Sequence, residues 1–286
     1  MAINTAERAA RLRALIADHT VAMPGAINAL SARLIESAGF EALYLSGAVL
    51  ANSVGGLPDT GLMTLTEAEQ HARAVARATT LPMVMDADTG FGEVENVART
   101  VRVLEEAGVS GVHLEDQEFP KRCGHLDGKR LVPVEDFLAK LEAALEARLC
   151  PDFMIIARTD ARSVDGFDAA VSRARRYRDA GADAIFPEAL ATADEFRDFA
   201  KAVGGNLLAN MTEFGKSPYL TVNALAELGY NMVIFPVTLQ RVAMYAMREA
   251  LDMLHRDGTQ RAMIESMQTR AELYELLGYT PNAKRP

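Results

Sequence analysis

The segment Lys121-Arg122-Cys123-Gly124-His125 puts a thiol, an imidazole and two cations within five residues, shortly after the acidic pair Glu115-Asp116. Flanking cations are the setting that lowers a thiol pKa, whereas inert structural cysteines sit among apolar neighbours. Gly124 and Gly128 lend the stretch backbone freedom, and a flexible segment carrying reactive groups is what a closing active-site loop requires. The competing reading is a solvated basic loop with an incidental cysteine. A second pair, Asp86 and Asp88, stands two residues apart. Oxygen ligands with no His or Cys beside them suit Mg2+ or Mn2+, held by few carboxylates while water and substrate complete the shell. Zinc is not expected.

Arg158 and Arg241 read as carboxylate clamps, because a planar guanidinium matches a carboxylate with two parallel hydrogen bonds. Arg241 reads equally well as a solvated helix start. Glu115 and Glu188 fit three roles: metal ligands through water, bases, or partners of Arg158 in a structural ion pair. His125 has the plain alternative of an exposed loop histidine, and His113, inside an apolar run, reads as a satisfied core histidine. The segment Gly55 to Gly61 is too rich in glycine and proline for regular structure and reads as a second mobile loop, with Asp59 either reaching metal waters or serving its turn.

These residues need a scaffold, and 286 residues with 49% hydrophobic content can build a large one. Helical patterns close on Gly39, Gly108, Gly181 and Gly229, each followed by an apolar run, as left-handed helix C-caps do. Candidate strands fall at Thr20 to Met23, Ala42 to Ser46, Pro82 to Asp86, Gly111 to Glu115, Met154 to Arg158, Ala184 to Pro187, Leu207 to Asn210 and Met232 to Phe235. Strict alternation with helical stretches implies parallel strands and right-handed crossovers, and eight such units close into a (β/α)8 TIM-type barrel. An open doubly wound sheet is disfavoured, since no GxGxxG follows the first strand. The expectation is one barrel domain over 1–286, with a C-terminal extension from about 259 to 286 carrying a further helix, about Gln260 to Leu277. Barrel chemistry sits at the C-terminal strand ends. There the chain places Tyr44 to Gly47, Asp86 and Asp88, His113 to Asp116, Arg158 to Asp160, Glu188, Asn210 to Glu213 and, after the eighth strand, Arg241. Seven polar strand ends on one rim describe a site.

Several classes are excluded. A net charge of −9 without a long Lys/Arg block argues against nucleic acid and anionic membrane surfaces as partners. Charges run through the amphipathic N-terminal pattern, and nowhere do 18 apolar residues follow one another, so a cytoplasmic enzyme is expected. Two cysteines, Cys123 and Cys150, without CxxC spacing should be free thiols.

With these residues assembled, the chain resembles the isocitrate lyase and phosphoenolpyruvate mutase superfamily and, within it, the bacterial 2-methylisocitrate lyases of the methylcitrate cycle. The resemblance runs nearly the whole length: YLSG at Tyr44, LPD ending at Asp59, DADTGFG at Asp86, HLEDQ at His113, KRCGH, ARTDA at Ala157, FPEA at Phe186, NMTEFG at Asn210 and MQTR ending at Arg270. It implies Mg2+ on Asp86 and Asp88, with Asp59, Glu115 and His113 near its shell, and Cys123 as general acid. Tyr44 and Glu188 are both candidates for the base, with His125 the next candidate for the acid. The implied substrate-binding set is Ser46, Gly47, Ala48, Lys121, Gly124, Arg158, Glu188, Asn210, Thr212, Arg241 and Arg270, with Phe186 and Ile234 beside the substrate methyl. The implied reaction is cleavage of 2-methylisocitrate to pyruvate and succinate in propionate catabolism, by a homotetramer whose last helices swap between neighbours. Relatives commonly read Ser-Gly-Gly where this chain has Ser46-Gly47-Ala48, and the added methyl narrows the approach to a carboxylate. That keeps isocitrate, dimethylmalate or another 2-alkylmalate, and oxaloacetate open as substrates. Phosphoenolpyruvate mutase chemistry needs no thiol acid in that loop, and a silent binding module would have lost a metal or acid residue; neither departure is seen.

Overall fold

The computed structural model describes residues 4–281, so the ends of the expected 1–286 domain, including the last five residues of its extension, lie outside the described residues. Eight strands follow in order: β1 (Val21–Pro24), β2 (Leu43–Leu45), β3 (Met83–Asp86), β4 (Gly111–Glu115), β5 (Met154–Thr159), β6 (Ala184–Pro187), β7 (Leu208–Asn210) and β8 (Met232–Phe235). Each lies within about a residue of its expected position. The helices are α1 (Thr5–Asp18), α2 (Ala29–Ser37), the short α3 (Gly47–Leu50), α4 (Leu65–Ala76), α5 (Val94–Ala107), α6 (Val134–Ala147), α7 (Phe167–Asp179), α8 (Ala193–Val203), α9 (Val222–Glu227), α10 (Thr238–Asp257) and α11 (Arg270–Leu277). All pairings are parallel, in the orders β2-β3-β4-β5-β6 and β1-β8-β7. Single parallel bridges, Gly25 to Tyr44 and Ile185 to Leu207, join the two sheets into a closed TIM-type barrel. The four capping glycines all have positive φ, between 86° at Gly39 and 105° at Gly181.

Alternation along the strands sorts the core into two layers. Val84, Met154, Ile156, Ala184, Phe186, Leu208, Met232 and Ile234 pack together inside the barrel, while their neighbours Met83, Met85, Ile155, Ala157 and Val233 pack outward against the helices. Leu12 and Ile16 of α1 join the inner cluster and close the barrel floor. Each is worth about 2 kcal/mol on burial. The partly exposed Arg13–Asp183 pair beside them, at 2.7 Å, adds less than about 1 kcal/mol, so apolar packing holds the floor.

Two C-terminal features differ from expectation or stand out. The single helix about Gln260 to Leu277 is instead a short 3-10 turn, Arg261–Ser266, followed by α11. The break is a capping box: Thr269 Oγ1 accepts the Glu272 N–H at 3.2 Å, and the Glu272 carboxylate accepts the Thr269 N–H at 2.6 Å. And α10, 20 residues long, buries none of its side chains, leaving Val242, Met244, Tyr245, Met247 and Leu251 exposed. Among the described residues no helix is long and apolar enough to cross a membrane.

Candidate active site

Stepping two residues beyond the inner apolar layer reaches the polar rim: Tyr44 leads to Ser46, Val84 to Asp86, Ile156 to Arg158, Phe186 to Glu188 and Leu208 to Asn210. These side chains surround a cavity of about 340 Å3, which Ala48, Asp59, Cys123, Gly124, His125, Thr212, Ile234 and Arg241 also line.

At one side lie the carboxylates. Asp86 Oδ2 accepts the Gly47 N–H at 3.3 Å, and Oδ1 accepts the Asp88 N–H at 3.0 Å. A Cβ at position 47 would come within 2.9 Å of Asp86 Oδ2, so only glycine permits this approach. Asp88 takes the left-handed region at φ 48°, a strained backbone of the kind that persists at functional sites. Lys121, expected among the substrate-binding residues, is buried in this cluster instead, 2.7 Å from Asp88 Oδ1 and paired with Asp59. Burial, only partly offset by Lys121 and reinforced by Asp86, pushes Asp88 up to about 6. Burial also raises Glu115 well above the usual carboxylate range, and its Oε1 has no hydrogen-bond partner. Among the described residues no three His, Cys, Asp or Glu side chains converge on one point. The donor set is thus two oxygen ligands with further carboxylates behind, under-neutralised by Lys121, and it fits a hard divalent cation that keeps waters and takes ligands from substrate.

His113 is fully buried beneath this cluster, with Nε2 2.7 Å from the Tyr44 hydroxyl. It is only half satisfied, contrary to expectation: Nδ1 has no hydrogen-bond partner and stands 3.7 Å from Asp86 Oδ1. Burial pushes His113 down to about 4, so the ring is neutral, while burial and then Asp86 hold the Tyr44 phenol well above its ordinary value.

The opposite side carries the thiol, and here the expectation of a lowered pKa is overturned. The flanking cations turn away: Lys121 goes to Asp59 and Asp88, and the Arg122 guanidinium donates to the Asp127 carbonyl at 3.3 Å. Burial raises the Cys123 thiol, Glu188 and Asp59 raise it further, and the His125 backbone N–H offsets only part. The group is a protonated thiol. Gly124 serves closeness rather than freedom, since a Cβ there would stand 2.4 Å from both Arg158 Nη2 and Glu188 Cγ. His125 is clamped rather than exposed: Nδ1 accepts the Lys216 N–H at 2.9 Å, which leaves the proton on Nε2, 3.0 Å from Glu188 Oε1. Against the cost of burial, Arg158 and His125 hold Glu188 well below the carboxylate range. Arg158 meets Glu115 at 3.2 Å, Asp160 at 2.9 Å and Glu188 at 3.4 Å, so much of its donor capacity is already committed.

A barrel whose rim pairs DAD with a protonated thiol can be placed by comparison. The phosphoenolpyruvate phosphomutase family model matches residues 12–255. The chain belongs to this family. A probable 2-methylisocitrate lyase 1 from Corynebacterium glutamicum is 54% identical over 93% of this chain and 87% of its own. The crystal structure of a 2,3-dimethylmalate lyase, a PEP mutase/isocitrate lyase superfamily member, superposes with a TM-score of 0.89 at 36% identity, covering 97% of this chain and 92% of that one. A phosphonopyruvate hydrolase complex with oxalate and Mg++ matches with a TM-score of 0.84 at 34% identity, covering 97% and 95%.

Against the family pattern, one expected residue stands apart. Arg270 opens α11, exposed and outside the cavity lining. Others were missed. Asn52 and Pro236 line the cavity, and Lys129 is buried on the Cys123 loop. Nothing in the sequence separates Lys129 from a solvated lysine, because its partners, Asp160 just after β5 and the Gly124 carbonyl, meet it only in the fold.

Proposed function

We propose that this chain is a Mg2+-dependent lyase that cleaves the carbon-carbon bond of 2-methylisocitrate to pyruvate and succinate, the bond-breaking step of the methylcitrate cycle. One observation carries the reading: a single cavity joins the protonated Cys123 thiol, Arg158 and Arg241 to Asp86, with Phe186 and Ile234 as an apolar wall. The Corynebacterium glutamicum relative supports the substrate.

Asp86 and Asp88 would hold Mg2+, or Mn2+ in its place, with Asp59, Glu115 and His113 around it, and the ion when bound supplies Lewis acidity to the substrate hydroxyl and its neighbouring carboxylate. The hydroxyl proton passes to a base, the carbon-carbon bond breaks, and its electron pair stays on the succinate half. Tyr44 and Glu188 are the two candidates for that base: Glu188 is ionised but held weakly basic by Arg158 and His125, and Tyr44, backed by His113, is protonated in the free enzyme. Cys123 then delivers its proton to the succinate carbon, and Arg241 stabilises the charge developing on that half. Ser46, Gly47, Asn210, Thr212 and the Gly124 backbone position the carboxylates. The uncovered apolar side of α10 supports a homotetramer with exchanged C-terminal helices, and two unpaired thiols support a cytoplasmic setting.

Ala48 on the cavity wall favours a second reading, a shorter 2-alkylmalate or oxaloacetate substrate. Incubation with Mg2+ and 2-methylisocitrate, isocitrate, dimethylmalate or oxaloacetate, followed by NMR, separates the two. Pyruvate and succinate forming fastest from 2-methylisocitrate is the expected result; faster turnover of a malate-type acid overturns it.

A further inference from the structure

We infer that Lys129 is a positioning residue, a buried latch that ties the Cys123 loop to the barrel rim and holds the thiol over the mouth. The side chain of Lys129 is 1% exposed; its ammonium donates to the carbonyl of Gly124, the residue after Cys123, and stands 2.9 Å from Asp160 Oδ1. Asp160 is fixed from the barrel wall. Its N–H donates to Asp116 Oδ1 at 2.9 Å, and Asp116 Oδ2 accepts from Thr159 Oγ1 at 2.8 Å and from Tyr177 OH, on α7, at 2.9 Å. Lys121, and His125 through Lys216 and Glu188, hold the nearer part of the loop, whereas its tip is lightly held. Leu126, Asp127, Gly128 and Arg130 are exposed, and the outer Lys216–Asp127 pair at 2.6 Å is a surface ion pair of little worth in water. A buried ammonium persists only when its charge and donors are matched. Lys129 has both matches, one of them on the loop itself, so loop opening strips it of the Gly124 carbonyl while Asp160 keeps it in place.

This deepens the lyase reading only in giving the held thiol its task; the latch stands on geometry alone. The test labels Cys123 with iodoacetamide in the absence of substrate, in a Cys150→Ser background, followed by mass spectrometry. Lys129→Met should raise the labelling rate roughly 10- to 100-fold, the scale on which a hydrogen bond to a charged group acts, with Lys129→Arg close to the parent and thermal unfolding confirming the fold. On 2-methylisocitrate the same variant should lose kcat more than it raises KM, because the acid is misplaced and the metal side is untouched. Labelling at the parental rate in folded Lys129→Met overturns the latch. Should Lys129→Met fail to fold, Lys129→Met with Asp160→Asn removes both charges, and parental labelling there overturns it equally. Labelling needs no turnover: faster labelling in a protein that cleaves no 2-methylisocitrate keeps the latch and removes the lyase reading, whereas normal cleavage with unchanged labelling does the reverse.

Discussion

The Asp88 amide donates to Asp86 Oδ1 at 3.0 Å, so the backbone of one acid fixes the carboxylate of the other. Lys121 offsets only part of the charge that Asp59, Asp86 and Asp88 bring together, since burial and Asp86 still push Asp88 up to about 6, and this leaves room for a divalent cation. Activity should therefore vanish with EDTA and return with Mg2+ or Mn2+. Asp86→Ala should abolish turnover and lower the thermal midpoint of the metal-free protein, because, against the cost of burial, His113, Lys121 and Arg158 hold the Asp86 carboxyl below its usual range, and the Gly47 and Asp88 amides would lose their acceptor. Full turnover after exhaustive chelation would refute the metal's role.

Cys123→Ser keeps the reach of the side chain but raises the pKa of its proton far above that of a thiol. The loss should fall in kcat, by about 10²- to 10⁴-fold, the scale of general acid catalysis. Cys150→Ser should change little. Near-normal kcat for Cys123→Ser would move the acid elsewhere, with His125 the first place to look.

The thiol also sets a pH limit. Burial raises Cys123 above the ordinary cysteine value, so the proton-donating form predominates through neutral pH and is lost only as pH rises past the raised value. kcat/KM should stay flat from about pH 7 through about 8.5, the unperturbed cysteine pKa, and fall only at higher pH, past the raised value. Iodoacetamide labelling of the free enzyme should climb over the same alkaline range. A kcat/KM that falls between pH 6 and 7 as pH rises would mean an acid other than this thiol.

Gly124→Ala tests closeness against freedom. A methyl there meets Arg158 Nη2 and Glu188 Cγ at 2.4 Å, so the loop must lift or the pair must part. A displacement of about 1 Å costs on the order of 10²-fold in rate, and kcat/KM should drop by that much. An Ala variant with parental kinetics would show that the loop seats elsewhere during turnover.

The apolar wall should discriminate by one methyl. Phe186 and Ile234 line the cavity, and a methyl in such a pocket is worth about 1–3 kcal/mol, so 2-methylisocitrate should exceed isocitrate by roughly tenfold or more in kcat/KM. Ile234→Ala should narrow that gap. Equal efficiencies in the parent would remove the pocket from the account.

The barrel was legible because its rule is local: alternation carries Val84 to Asp86 and Ile156 to Arg158 whatever the rest of the chain does. What escaped depends on space. The cations beside Cys123 are near in sequence and far in effect, since Lys121 and Arg122 find partners on other sides of the loop. Lys129 looks like any surface lysine until Asp160, just after β5, and the Gly124 carbonyl close around it. The break before α11 turns on a Thr269–Glu272 capping box inside a run that reads as one helix. The thiol, the DAD pair and the rim arginine were readable as types; their protonation states were not, because those follow from burial.

With α1 packed across the floor through Leu12 and Ile16, the barrel is a vessel with a single opening. Substrate enters and both fragments leave past Cys123, Gly124 and His125, so departure is a queue. The slower fragment then sets the rate at which the mouth reopens, and added product should inhibit in a pattern that depends on which fragment is supplied.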